Sequence, residues 1–198
     1  LHASPFGYPV LLLQIAGFAL ASVWLMVNRA DALGRDYPLV RVKYGFLLAL
    51  VPFLLLEMVL RTAYFLDLER GVITSCCGSL FGAGGRGMGS DLAGLSPRMA
   101  GGSFVALLSG AILVGILFRR TGRGGWILGG LSALVLPVGL AAVVSWLSPY
   151  VYELPTHHCP FCILHSEYSY IGYPLYGVLL VAGISSMSVG ALMPARNK

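Results

Sequence analysis

Five stretches of nearly uninterrupted apolar residues, near 8–27, 44–66, 99–118, 126–147 and 171–193, leave this chain few folds to choose from. Each has close to the ~20 residues that a helix needs to cross about 30 Å of hydrocarbon. Only 11% of the 198 residues are charged, 57% are hydrophobic, and the mean hydropathy is +0.81. A water-soluble domain carries about 25% charged residues. The charges here are too few to cover a surface facing water. The expected fold is an all-α integral membrane protein, a single membrane domain of about five transmembrane helices with an extracytoplasmic cap of loops. Pro52 and Pro137 fall inside spans, where neighbouring helices can satisfy the carbonyls they free.

The formal net charge of +5 is concentrated in loops. That placement reads as topogenic charge, and no nucleic-acid partner is expected. Arg29, Arg35, Arg41 and Lys43 lie between the first two spans, Arg119, Arg120 and Arg123 between the third and fourth, and Arg196 and Lys198 in the tail. These nine of the thirteen basic residues share one face, which the positive-inside tendency makes cytoplasmic. The expected placement is a multi-pass protein of a bacterial inner (plasma) membrane, N-terminus outside and C-terminus inside, with the bilayer as its first partner. No basic stretch precedes the first apolar run, so a cleavable signal peptide is not expected.

All four cysteines then fall in the two outside loops, 67–98 and 148–170. The second loop carries His157-His158-Cys159-Pro160-Phe161-Cys162, with His165 close behind. Two cysteines separated by two residues can close a small disulfide ring, and cationic or helix-terminal neighbours favour the thiolate. Cys162 is expected near the start of a helical stretch. Read this way, Cys159 and Cys162 are a redox-active dithiol, and Cys76 and Cys77 in the first loop are their relay. The same donors also suit a metal. His157, His158, Cys159, Cys162 and His165 offer the imidazoles and thiolates preferred by zinc and copper, or a hold on an external haem. A third reading makes the cysteines structural staples. Four cysteines allow three full pairings, and the sequence does not choose among them.

Glu57 and Arg61 sit four residues apart inside the second span. Charges within hydrocarbon are costly, and this spacing lets them pair. Arg61 lies in the outer third of its span, where it can also hold a quinone carbonyl. Glu153 and Glu167 flank the histidines and can orient one of them. Tyr150, Tyr152, Tyr168, Tyr170, Tyr173 and Tyr176 are expected mostly at headgroup depth. There is no CxxCH for covalent haem, no phosphate-binding glycine loop, and no ladder of intramembrane carboxylates; these absences argue against a c-type cytochrome and a self-powered pump.

The arrangement resembles the quinone-linked membrane oxidoreductases of the DsbB and vitamin K epoxide reductase types, small helical bundles with two cysteine pairs on one side. Cys159 and Cys162 match the CxxC of that pattern, and Arg61 stands where an arginine can face a quinone. The pattern departs in three ways: the CxxC is in the last outside loop, the other pair is vicinal, and histidines crowd the motif. The resemblance implies thiol–disulfide or electron-transfer chemistry, a quinone cofactor and a periplasmic redox partner. The alternatives are a metal- or cofactor-binding membrane protein, or a non-catalytic subunit of a larger membrane complex.

Overall fold

Each apolar run becomes a helix, and the helices extend past the apolar residues wherever polar groups find partners. The computed structural model describes residues 6–34, 36–68 and 88–193. Helix α1 spans Gly7–Leu33, α2 Val40–Leu66, the short α3 Met88–Ala93, and α4 Pro97–Thr121. Helix α5, Gly125–Ala142, passes without a break into a π-helical turn at Val143–Leu147 and a final α-helical turn, α6, at Ser148–Tyr152. Two 3-10 turns, Cys162–Leu164 and Ser166–Tyr168, lead into α7 at Gly172–Leu192. Among the described residues five helical segments, with α5 to α6 counted as one, are long and apolar enough to cross a membrane. The chain is an all-α membrane bundle.

Helix α1 outruns its apolar stretch, continuing through Arg29 and Asp31. The reason lies in the next helix. Asp31 is fully buried, and its carboxylate accepts the Leu39 N–H at 2.8 Å and the Lys43 ammonium at 2.7 Å. The ammonium also lies 5.8 Å and 5.5 Å from the ring centres of Tyr37 and Tyr44, within cation–π range. The Trp24 indole donates to the Lys43 carbonyl at 3.2 Å. These bonds close the α1–α2 hairpin at the end opposite the cysteine loop. The α4–α5 hairpin closes at that same end by different means. Gly122 sits at φ 68 and donates its N–H to the Phe118 carbonyl, and Gly124 follows at φ 90. Two left-handed positions separated by a single residue in so tight a turn suit glycine, which has no Cβ to clash.

The helices neighbour one another in the order α2, α1, α7, α5, α4. Helix α7 stands in the middle of this row, and α5 beside it buries seven residues along its length, whereas α2 buries only Leu50. The exposed sides of α2 and α4 are apolar and face lipid. In lipid, apolar side chains gain little by moving from hydrocarbon to a neighbouring helix, so close backbone approach and dispersion carry the packing. The antiparallel α5–α7 pair shows this. Gly125 meets Met193, Gly129 meets Gly190, Leu136 meets Gly183, and Gly139 meets Leu179. A Cβ added at Gly129 would lie 2.8 Å from the Gly190 Cα. Gly130, one residue on, faces open space.

This contact predicts opposite outcomes for neighbouring substitutions. Gly129→Ala should lower stability in detergent by roughly 1–3 kcal/mol, the usual cost of overpacking. Gly130→Ala should leave it unchanged or raise it slightly. Thermal unfolding of the two variants side by side checks the register.

Candidate functional site

The cysteine loop hangs from the π-helical turn, and the cause is a proline. In this wide turn the Ser148 N–H donates to Val143, five residues back. The equivalent donor for Val144 would come from Pro149, which has no N–H. The Val144 carbonyl is instead met by His158 Nδ1 at 3.1 Å. A carbonyl only accepts, so Nδ1 carries the proton, and in the neutral ring Nε2 is the acceptor. His158 is 6% exposed. It is thereby an anchor that docks the loop onto the end of the α5 segment.

Two tyrosines hold the next two residues. The Tyr152 hydroxyl donates to the Cys159 carbonyl at 2.5 Å, and the Tyr176 hydroxyl donates to the Pro160 carbonyl at 2.7 Å. The Tyr152 ring lies 4.6 Å from the His157 ring, edge to face, and 4.6 Å from the Tyr168 ring. Three of the six tyrosines expected at headgroup depth therefore turn inward to brace the loop. Tyr150, Tyr170 and Tyr173 are exposed, as an interfacial belt would have them. Gly172, at the start of α7, presses on the turn after the motif. A Cβ there would come within 2.9 Å of the Ile163 carbonyl.

The two thiols are held unequally. Cys159 is a free thiol with 0% exposure, packed against Val144 and against Ala93 of α3. Cys162 is part-exposed and opens the three-residue 3-10 turn Cys162–Leu164. The helical start expected at Cys162 is only this turn, and α7 begins ten positions later at Gly172. So short a turn supplies little of the dipole that would favour a thiolate. Helix α3 covers Cys159 from above and is linked to α1, where the Tyr8 hydroxyl reaches the Gly89 backbone.

The histidines do not converge. His157 stacks on Tyr152, His158 bonds Val144, and His165 is exposed. Among the described residues no three side chains from His, Cys, Asp and Glu are placed to share a metal ion. Glu153 and Glu167 are exposed, and among the described residues neither bonds a histidine. Cys76 and Cys77 lie outside the described residues, and so does their expected meeting with Cys159 and Cys162.

A second polar site lies between α1 and α2. Arg61 Nη2 donates to Glu57 Oε1 at 2.5 Å. The other Glu57 oxygen lies against Gly17 of α1, which leaves room for it; a Cβ there would be 3.3 Å from Oε2. Beside the pair, Gly7, Val10, Leu11, Gln14, Arg61, Tyr64 and Phe65 line a cavity of about 260 Å³. Its walls are mostly apolar, with the Gln14 amide, the Arg61 guanidinium and Tyr64 as polar groups. Arg61 is 47% exposed on its side chain. The pairing expected from the spacing is present, and Gln14 of the neighbouring helix lines the cavity beside it.

No protein-family model, curated protein or solved structure matches this chain. Fold and site together define its class: a membrane-embedded helical bundle that presents a CxxC loop at one end, with one cysteine fully buried and the other part-exposed.

The bracing makes a kinetic prediction. Maleimide should label Cys162 well before Cys159 in the native protein. Tyr152→Phe removes the bond to the Cys159 carbonyl, a loss of about 1–1.5 kcal/mol. Labelling of Cys159 should then accelerate roughly tenfold. Mass spectrometry of the labelled peptides measures both rates.

Proposed function

We propose that this chain is a membrane-bound thiol–disulfide oxidoreductase that moves electrons from a partner's thiols into the membrane. The observation that carries the reading is the asymmetry of the CxxC. A part-exposed Cys162 can exchange with an outside sulfur, while the buried Cys159 is the sulfur expelled, held where an outside thiol does not reach it. A structural staple would have no need of one open and one sealed thiol on a loop anchored at three successive residues, His158, Cys159 and Pro160.

In the oxidising direction a partner thiolate attacks the Cys162 sulfur of a Cys159–Cys162 disulfide and expels the Cys159 thiolate. A second partner thiolate then attacks the mixed disulfide. The partner leaves as a disulfide and the CxxC is reduced by two electrons and two protons. Cys76 and Cys77 act as the relay. A lipid-soluble quinone takes the electrons and protons and becomes the quinol. The α1–α2 cavity suits a quinone head, since its volume is near the lower end of ligand pockets and an isoprenoid tail can stay in lipid. Arg61, already paired with Glu57, retains further N–H groups for a quinone carbonyl.

The arginine distribution supports a bacterial inner membrane with the cysteine loop on the periplasmic side and the C-terminus in the cytoplasm. A periplasmic redox protein is the natural donor of thiols there. The metal-binding alternative has less support, because the described histidines point to separate partners. Elemental analysis of the purified protein separates the two: a stoichiometric metal favours the alternative.

The direct test mixes the reduced protein in detergent with a short-chain benzoquinone. Cys159 and Cys162 should become resistant to alkylation as quinol accumulates. Cysteines that never change redox state would remove the proposal. Arg61→Gln should slow quinone reduction roughly tenfold or more, the worth of a charge-assisted hydrogen bond of about 1.5–3 kcal/mol. It should leave the reaction of Cys162 with soluble disulfides unchanged.

A further inference from the structure

We infer that the thiol partner of Cys162 is a polypeptide whose reactive cysteine lies in an exposed apolar segment with basic residues beside it. The inference rests on the thiol-exchange reading above and names its substrate class.

The surface around Cys162 is unlike what a small thiol needs. Phe161, between the two cysteines, is 42% exposed, and Leu154 and Ile171 are exposed on the same cap. All three lie between the end of α6 and the start of α7, on the segment that carries the motif. The Leu154 carbonyl accepts from His157, and the turn at Ile163 lies against Gly172, next to Ile171. A broad cleft of about 640 Å³, lined by Pro149, Tyr150, Val151, Glu153 and Pro155, lies beside Leu154. Tyr150 belongs equally to the interfacial belt. Phe161 belongs to the loop itself, beside Cys162, and an exposed aromatic there suits a contact with a polypeptide.

Charge selects among partners. Between Tyr150 and Tyr170 there is no lysine or arginine, and the acidic residues are Glu153 and Glu167. Both are exposed, and they adjoin Tyr152 and Tyr168, whose rings are 4.6 Å apart. The cap therefore presents negative charge beside an apolar patch, on a chain whose net charge is +5. Glutathione and similar small thiols carry net negative charge and no large apolar group, so neither feature helps them. A peptide with aromatic or aliphatic side chains and nearby lysines matches both. Its approach would be steered electrostatically, and that advantage would fade with salt.

The test uses the full chain in nanodiscs with Cys76, Cys77 and Cys159 changed to serine, so that Cys162 alone reacts. Three probes are compared, each activated as a mixed disulfide with thionitrobenzoate: a Phe/Leu/Lys peptide, a peptide of the same length with Ala and Glu, and glutathione. Displacement of thionitrobenzoate gives each rate. The apolar-basic peptide should react about tenfold or more faster than the other two, the low end of electrostatic steering, with an advantage that shrinks at high salt. Phe161→Ser should reduce that advantage and leave the glutathione rate unchanged, and the double change Glu153→Gln/Glu167→Gln should reduce it while modestly raising the glutathione rate. Equal rates for all three probes would overturn the inference while leaving thiol exchange at Cys162 standing. No reaction with any probe would sink the exchange reading, and this inference with it.

Discussion

Pro149 has no N–H to give, and Val144, five residues before it in a π-helical turn, has a carbonyl that needs a donor. His158 supplies that donor from a loop fourteen residues downstream. A carbonyl left without a partner at this depth would cost about 1–3 kcal/mol. The defect in the helix and the position of the CxxC are therefore one problem with one solution. With His158 fixed, Cys159 and Pro160 fall beneath the hydroxyls of Tyr152 and Tyr176. π-helical turns occur often at functional sites. Here the extra residue in the turn lets the α5 segment terminate in a socket for the loop.

The same economy governs the bundle. Lipid offers hydrocarbon everywhere, so helices gain little by hiding leucines from it. They gain where backbones approach closely, as at Gly129 and Gly190, and where polar groups find each other, as at Asp31 and Lys43. Glu57 and Arg61 follow this rule. Their charges neutralise each other, Gly17 makes room for the carboxylate, and the uncovered remainder faces a cavity that also holds Gln14 and Tyr64. Trp146 on the π-helical turn lies over Gly101 of α4, tying the base of the cysteine loop to the outermost helix of the row.

Three non-glycine residues in the cap, Glu153, Ser169 and Tyr170, adopt left-handed backbone angles near φ 55. Such a conformation costs about 1–2 kcal/mol per residue for an L-amino acid. They stand at the two ends of the loop, where the chain must leave α6 and enter α7 while the motif between them stays anchored. This loop is held by hydrogen bonds at three successive residues and strained at its edges. That combination holds one thiol under α3 and leaves the other at the surface, which is the arrangement on which the proposed chemistry depends.

The five spans were legible in the residues alone, because water and hydrocarbon sort a chain by polarity without reference to its tertiary contacts. The Glu57–Arg61 pair was legible for a related reason: a spacing of four residues puts two side chains on one helical face whatever surrounds them. The extension of α1 to Leu33 was not, since it depends on Lys43 reaching back to Asp31 across a hairpin. Nor were the inward turns of Tyr152, Tyr168 and Tyr176, whose composition suits an interface equally well. Pro149 was a visible signal of the π-helical turn, but its consequence needed the place of His158. The sequence by itself determined that this chain lies in a membrane and carries a CxxC loop, since both follow from local polarity and spacing. Only the tertiary structure decided that Cys159 is fully buried and Cys162 part-exposed, because burial belongs to packing between segments far apart in the chain.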